Sequence, residues 1–107
     1  MTEVVSACGG GRFVLDVRGH AATRTVCAAV SCLLCSLAGW LHNADGAETL
    51  CERLEPGRAR FVWRARTPED EAACRAAFEL AEIGFLQLQL AEPEQVRSIK
   101  EPPEGVL

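Results

Sequence analysis

Between Val26 and Leu41 the chain is apolar nearly all round, and no charged residue occurs from Thr25 to Ala44. Such a run has two physical outlets, the interior of a bilayer or the interior of a folded domain. A bilayer span needs ~20 apolar residues, and this run is shorter and is interrupted by Ser31 and Ser36. It therefore predicts a helix sunk in a protein core rather than a membrane segment. Thr25 is placed to cap its start, and His42-Asn43 with Asp45-Gly46 to stop it. With 107 residues, 49% of them hydrophobic, the chain can build one core around that helix and not two.

The flanking segments change period. Glu3 to Cys8 and Phe13 to Arg18 are β-prone runs joined by Gly9-Gly10-Gly11-Arg12, which predicts a hairpin. In the second run Phe13, Leu15 and Val17 should face the core, and Val14, Asp16 and Arg18 should be wet. Ala47 to Leu54 reads as a short helical turn, broken by Glu55-Pro56-Gly57. Arg58 to Arg66 alternates cleanly, with Ala59, Phe61, Trp63 and Ala65 opposite Arg58, Arg60, Arg64 and Arg66, and is the clearest strand. Thr67-Pro68-Glu69-Asp70-Glu71 opens a second helix running to about Ala91. Pro93 breaks it before a short strand near Gln95 to Lys100. The order strand-strand-helix-strand-helix-strand predicts an α+β domain over residues 1–100, a small mixed sheet with two helices packed on one face. Residues 101–107, rich in proline, should form a flexible tail.

Charge and cysteine usage narrow the function classes. The formal net charge is −4, which does not mark a general nucleic-acid binder, although the first 68 residues are slightly basic and the arginine row of the third strand could meet RNA phosphates or an acidic peptide. The more common role for such a row is a solvated face paired with carboxylates. The opening Met1-Thr2-Glu3-Val4-Val5 has no basic region ahead of an apolar stretch, so the expected compartment is the cytosol, with the six cysteines as thiols. Cys32 and Cys35 have redox or zinc spacing but fall within a helix, so core packing is expected, and no metal or other cofactor is anticipated.

The segment with chemical content is Gly19-His20-Ala21, followed after a short connection by Val26-Cys27-Ala28-Ala29-Val30-Ser31. His20 lies just past a strand, and Cys27 lies in the first turn of the long helix, where unpaired N–H groups and the dipole favour a thiolate. An imidazole folded back on that sulfur could share its proton and later protonate a leaving amine, while helix-start N–H groups stabilise an oxyanion. A buried cysteine beside a turn histidine gives the same sequence without chemistry. His42, roughly 22 Å along the same helix from Cys27 at 1.5 Å per residue, cannot be the base.

These two strings resemble the signature of the ribosomal-processing cysteine protease family, a Gly-His-Ala turn ahead of a Val-Cys-Ala-Ala-Val-Ser helix start. Ile83-Gly84-Phe85 and Ala91-Glu92-Pro93-Glu94 extend the likeness toward the C-terminus. The resemblance implies a small, often homodimeric protease that removes a short N-terminal extension from a large-subunit ribosomal protein. It implies Cys27 as nucleophile, His20 as base after Gly19, and Ser31 as a supporting hydroxyl one turn on. The His20-to-Cys27 connection is shorter than the family's, and Arg24 stands where the family usually has aspartate. The rival reading is a non-catalytic ribosome-associated or RNA-interaction module of the same fold.

Overall fold

The computed structural model describes residues 1–102. A tail beyond Lys100 is only partly covered: Glu101 still donates its N–H to the Ser6 carbonyl at 2.9 Å, and residues 103–107 lie outside the described residues. The elements run β1 (Thr2–Gly9), β2 (Arg12–Arg18), α1 (Arg24–Asn43), β3 (Ala47–Glu55), β4 (Arg58–Ala65), a 3-10 turn (Pro68–Asp70), α2 (Glu71–Ala91) and β5 (Val96–Lys100). The strands form one sheet in the order β3-β4-β2-β1-β5, antiparallel except for the β1/β5 pair. The α+β class, the mixed sheet and its two helices agree with expectation. The first turn does too: Gly10 and Gly11 hold φ of 60° and 77°, as a type I′ hairpin needs.

One element differs. Ala47 to Leu54 is a strand, not a helical turn, so the hairpin β3–β4 adds a fifth strand. Its alanine, leucines and glutamates have little intrinsic preference for strand. They take it because β3 pairs with β4 from Ala47↔Ala65 to Glu55↔Arg58, with an irregularity between Thr49 and Cys51, and pairing overrides propensity. As an edge strand it is mostly exposed and charged, which discourages further pairing.

The core lies between the sheet and the helices. Val26, Val30, Leu34, Leu37 and Leu41 form the buried stripe of α1, and Cys74, Phe78, Ala81 and Phe85 that of α2. Both follow helical spacing. By length and apolarity α1 could cross a membrane, but here that stripe rests on the sheet. The helix is less sunk than its composition suggests. Cys32 and Cys35 are exposed, not packed, because the stripe leaves them off its axis. Phe13, Trp63 and Phe78 meet at centroid distances of 5.5–6.1 Å, and the Trp63 indole donates to the Cys74 carbonyl at 3.3 Å. Gly84 lets the helices approach, since a Cβ there would stand 2.7 Å from Leu33 Cδ2.

The other face of β2 is not simply wet. Val14 and Asp16 are buried, because β2 is the central strand and side chains from its neighbours close over them. Val14 packs with Ala7 and Val62. Asp16 accepts from Arg18, Arg58 and Arg60 at 3.2, 3.1 and 2.7 Å. Phe78→Ala should cost about 3–5 kcal/mol in chemical denaturation, whereas Leu50→Ala at the exposed irregularity of β3 should change stability by less than ~0.5 kcal/mol.

Candidate functional site

The site begins with the way α1 is anchored. The helix starts two residues before the expected cap: Thr23, in extended conformation, accepts from the Val26 N–H through Oγ1 at 3.4 Å. Thr23 is itself held by Gln95 ahead of β5, whose Oε1 accepts from the Thr23 N–H at 2.9 Å. Thr25 therefore lies inside the helix, and Cys27 in its first turn. The Cys27 N–H already donates to the Thr23 carbonyl at 3.1 Å. Among the described residues, Arg24 and Thr25 are the first-turn N–H groups left without a protein acceptor. An anion at this helix start would meet those donors and not the N–H of Cys27.

On the other side, β2 ends at Arg18 and the chain turns through Gly19 at φ 88°. A Cβ at Gly19 would overlap the Met1 carbonyl oxygen, so only glycine fits. The Gly19 N–H donates to the Gly57 carbonyl at 3.0 Å. Gly57, at φ 75°, sits at the tip of the β3–β4 hairpin, and a Cβ there would stand 2.7 Å from His20 Nε2. The hairpin tip thus backs the imidazole.

His20, Cys27 and Ser31 line one groove of about 440 Å³. Its floor is apolar, with Val17, Val30, Leu34 and Ala59, and its outer wall is the hairpin segment Leu54 to Gly57. The Cys27 thiol donates to the Ala21 carbonyl at 3.5 Å, and no hydrogen bond joins it to His20 in this arrangement. Ser31 makes no bond back to the preceding turn. Ser36 does, donating to the Cys32 carbonyl at 2.7 Å, which leaves the Ser31 hydroxyl available to the groove. Cys35, one further turn along the same face, lines it as well.

The remaining cysteines are dispersed. Cys51 lies on the sheet face opposite the helices, and Cys74 is buried on the core side of α2. Burial first, then Asp70 and Glu71, pushes the Cys74 thiol above its ordinary value. No group of three His, Cys, Asp or Glu side chains converges among the described residues. His42 has a carboxylate partner as well as a helix end: its Nε2 lies 2.6 Å from Glu52 on β3. The hairpin wall of the groove was hidden in the sequence, since Glu55-Pro56-Gly57 read as a break after a helical turn. A strand reading of Ala47 to Leu54 would have exposed it.

No family model matches the chain, and no curated protein matches it by sequence. Solved structures do. SMU.848 from Streptococcus mutans has 21% identity and a TM-score of 0.70, covering 95% of each chain. The ribosomal processing protease Prp from S. aureus, in complex with a covalently linked product peptide, has 14% identity and a TM-score of 0.73. That match covers 94% of this chain and all of the other. The same protease in complex with a substrate peptide matches at 13% identity with the same TM-score and the same coverage. If the hairpin tip fixes the imidazole, Gly57→Asn should slow iodoacetamide labelling of Cys27 roughly tenfold or more. Gly10→Asn, also at positive φ but with open space around it, should stay within about twofold of the unmodified chain. Together with the element order and the sheet, these likenesses establish that the chain has the fold of the ribosomal processing protease Prp.

Proposed function

We propose that the chain is a cysteine endopeptidase that removes a short N-terminal extension from a large-subunit ribosomal protein. The observation that carries this reading is that Cys27, at the start of α1, and His20, just past the end of β2, line one groove. That two of the matched structures hold a peptide, one of them covalently linked, supports the same use of the fold. The apolar floor suits an apolar side chain next to the scissile bond.

The reaction follows from the groups present. His20 takes the Cys27 proton as the sulfur attacks the scissile carbonyl carbon, forming a C–S bond and an oxyanion. The Arg24 and Thr25 N–H groups and the positive end of α1 face that charge. His20 then returns the proton to the leaving amine as the C–N bond breaks. Water, deprotonated by His20, hydrolyses the thioester and restores the thiol. Ser31 would hydrogen-bond a reacting group or a peptide carbonyl from one turn along. Six free cysteines suit a reducing compartment, and we place this activity in the cytosol.

The assembly we propose is a homodimer formed through the outer face of α2. Leu80, Ile83, Leu86 and Leu90 recur on one side of that helix at 71%, 53%, 45% and 67% exposure. Beside them lies a second groove of about 420 Å³ lined by Leu37, Trp40 and Ala77. A continuous apolar strip of this kind is uncommon on a monomer. The non-catalytic alternative accounts for the fold but gives the His20–Cys27 groove no task.

Cleavage of a peptide spanning the extension should vanish in Cys27→Ala and fall on the order of 10³-fold or more in His20→Ala. Ser31→Ala should lose about tenfold or less. Full cleavage by Cys27→Ala would remove the assignment. Leu80→Glu with Leu90→Glu should convert a dimer to a folded monomer in sedimentation analysis, and a monomeric parent chain would contradict the proposed assembly.

A further inference from the structure

Three polar side chains are buried among the described residues: Thr2, Ser6 and Asp16. Burying a polar group without a partner is costly, and two of the three have one. Ser6 donates to Glu82 at 2.7 Å, and Asp16 accepts from Arg18, Arg58 and Arg60. The Thr2 hydroxyl has no partner among the described residues, although Thr2 is only 2% exposed. Thr2 shares the helix-facing side of β1 with Val4 and Ser6, and it borders the Cys27 groove. The Nε of Arg58 also lacks a partner, but that atom is enclosed, whereas Thr2 opens onto the groove. Gln95 fixes where along the groove Thr2 stands. Its carbonyl accepts from the Thr2 N–H at 2.8 Å, while its Oε1 accepts from the Thr23 N–H at 2.9 Å. Thr2 is therefore at the end of the groove where α1 starts, and Val30 and Leu34 are farther along the helix, past Cys27. The Gly19–His20 turn is its neighbour on the sheet, since a Cβ at Gly19 would lie 3.8 Å from Thr2 Cα.

We propose that Thr2 determines substrate specificity: its hydroxyl hydrogen-bonds the uncharged polar tip of a peptide side chain that enters the groove at the α1-start end, across Cys27 from the apolar floor. The proposal rests on the peptidase reading and adds to it a requirement on a second side chain. Thr2 is enclosed, so what reaches it from the mouth of the groove is the tip of a side chain rather than main chain. A threonine hydroxyl both donates and accepts, which matches a carboxamide or a hydroxyl and offers nothing to a hydrocarbon. An apolar side chain at this place would leave the hydroxyl dry and unpaired. In that situation a site discriminates strongly against the analogue that lacks the polar group. A charged tip is refused for a different reason. It would lose its water against one neutral hydroxyl, and the charged side chains of the hairpin wall, Glu55 and Arg58, are engaged with Arg53 and Asp16. Ser31, the other hydroxyl of the groove, is exposed on α1. Water can satisfy it, so it imposes no such requirement.

The test is cleavage by the full chain of peptides spanning the extension, with asparagine or the nearly isosteric leucine placed in turn at each of the two residues flanking the scissile bond. At one of these positions asparagine should exceed leucine about tenfold or more in kcat/KM. Thr2→Val, which keeps the shape of the side chain and removes the hydroxyl, should bring that ratio to within about twofold of one. Thr2→Ser should retain the preference. A role for Thr2 in stability alone would lower both peptides together and leave the ratio where it was. The proposal is overturned if the parent chain prefers asparagine at neither position, as it would if ordered water satisfies the hydroxyl, or if Thr2→Val keeps the parent's ratio. Failure of the peptidase reading looks different: the parent then cleaves no peptide of the set, and the proposal falls with it.

Discussion

The antiparallel pairing of β2 with β4, from Arg12↔Arg64 to Arg18↔Arg58, sets where everything else can go. It brings the end of β2 level with the tip of the β3–β4 hairpin, so that Gly19 bonds Gly57 and the His20 ring rests on it. It also stacks Phe13 beside Trp63 and Leu15 beside Phe61 on one face, making the apolar platform on which both helices lie. On the opposite face the same register gathers Arg18, Arg58 and Arg60 around Asp16. A slip of one residue would reverse the faces of the strand, moving Trp63 into solvent and the arginines into the core.

The groove is the product of two independently anchored pieces. One is the start of α1, fixed by the Thr23 cap and by Gln95 ahead of the last strand. The other is the Gly19–His20 turn, fixed by the hairpin tip. Apart from the Thr23 cap, the anchors are distant in sequence from what they serve: Gln95 holds a helix that starts seventy-odd residues earlier, and Gly57 backs a histidine from another hairpin. This gives rigid walls to the groove that His20 and Cys27 line, with the Cys27 thiol donating to the Ala21 carbonyl. The short connection between His20 and Cys27 is consistent with that division, since the walls come from elsewhere in the fold.

Local pattern made much of this legible. The glycines at 9–11, the alternation of Arg58 to Arg66 and the proline breaks fixed three elements, and the Gly-His-Ala and Val-Cys-Ala-Ala-Val-Ser strings pointed to His20, Cys27 and Ser31 together. What failed did so for tertiary reasons. Ala47 to Leu54 has helix-forming composition and becomes a strand only by pairing with β4. Val14 and Asp16 occupy positions that alternation assigns to solvent, but a central strand is flanked on both sides. Cys32 and Cys35 count as apolar in a window average and yet fall off the buried stripe. The cap was misplaced by two residues because Gln95, the residue that locks Thr23, is distant in the chain.

The account rests on Cys27 being the groove's activated thiol with His20 as its partner, and the most direct measurement is intact-mass and peptide-mapping analysis after exposure to a peptide chloromethyl ketone. The account predicts one adduct per chain on Cys27, with Cys32 and Cys35 unmodified despite their exposure, and loss of that selectivity in His20→Ala. An adduct distributed over the exposed thiols, or one on Cys27 that forms equally fast without His20, would contradict it.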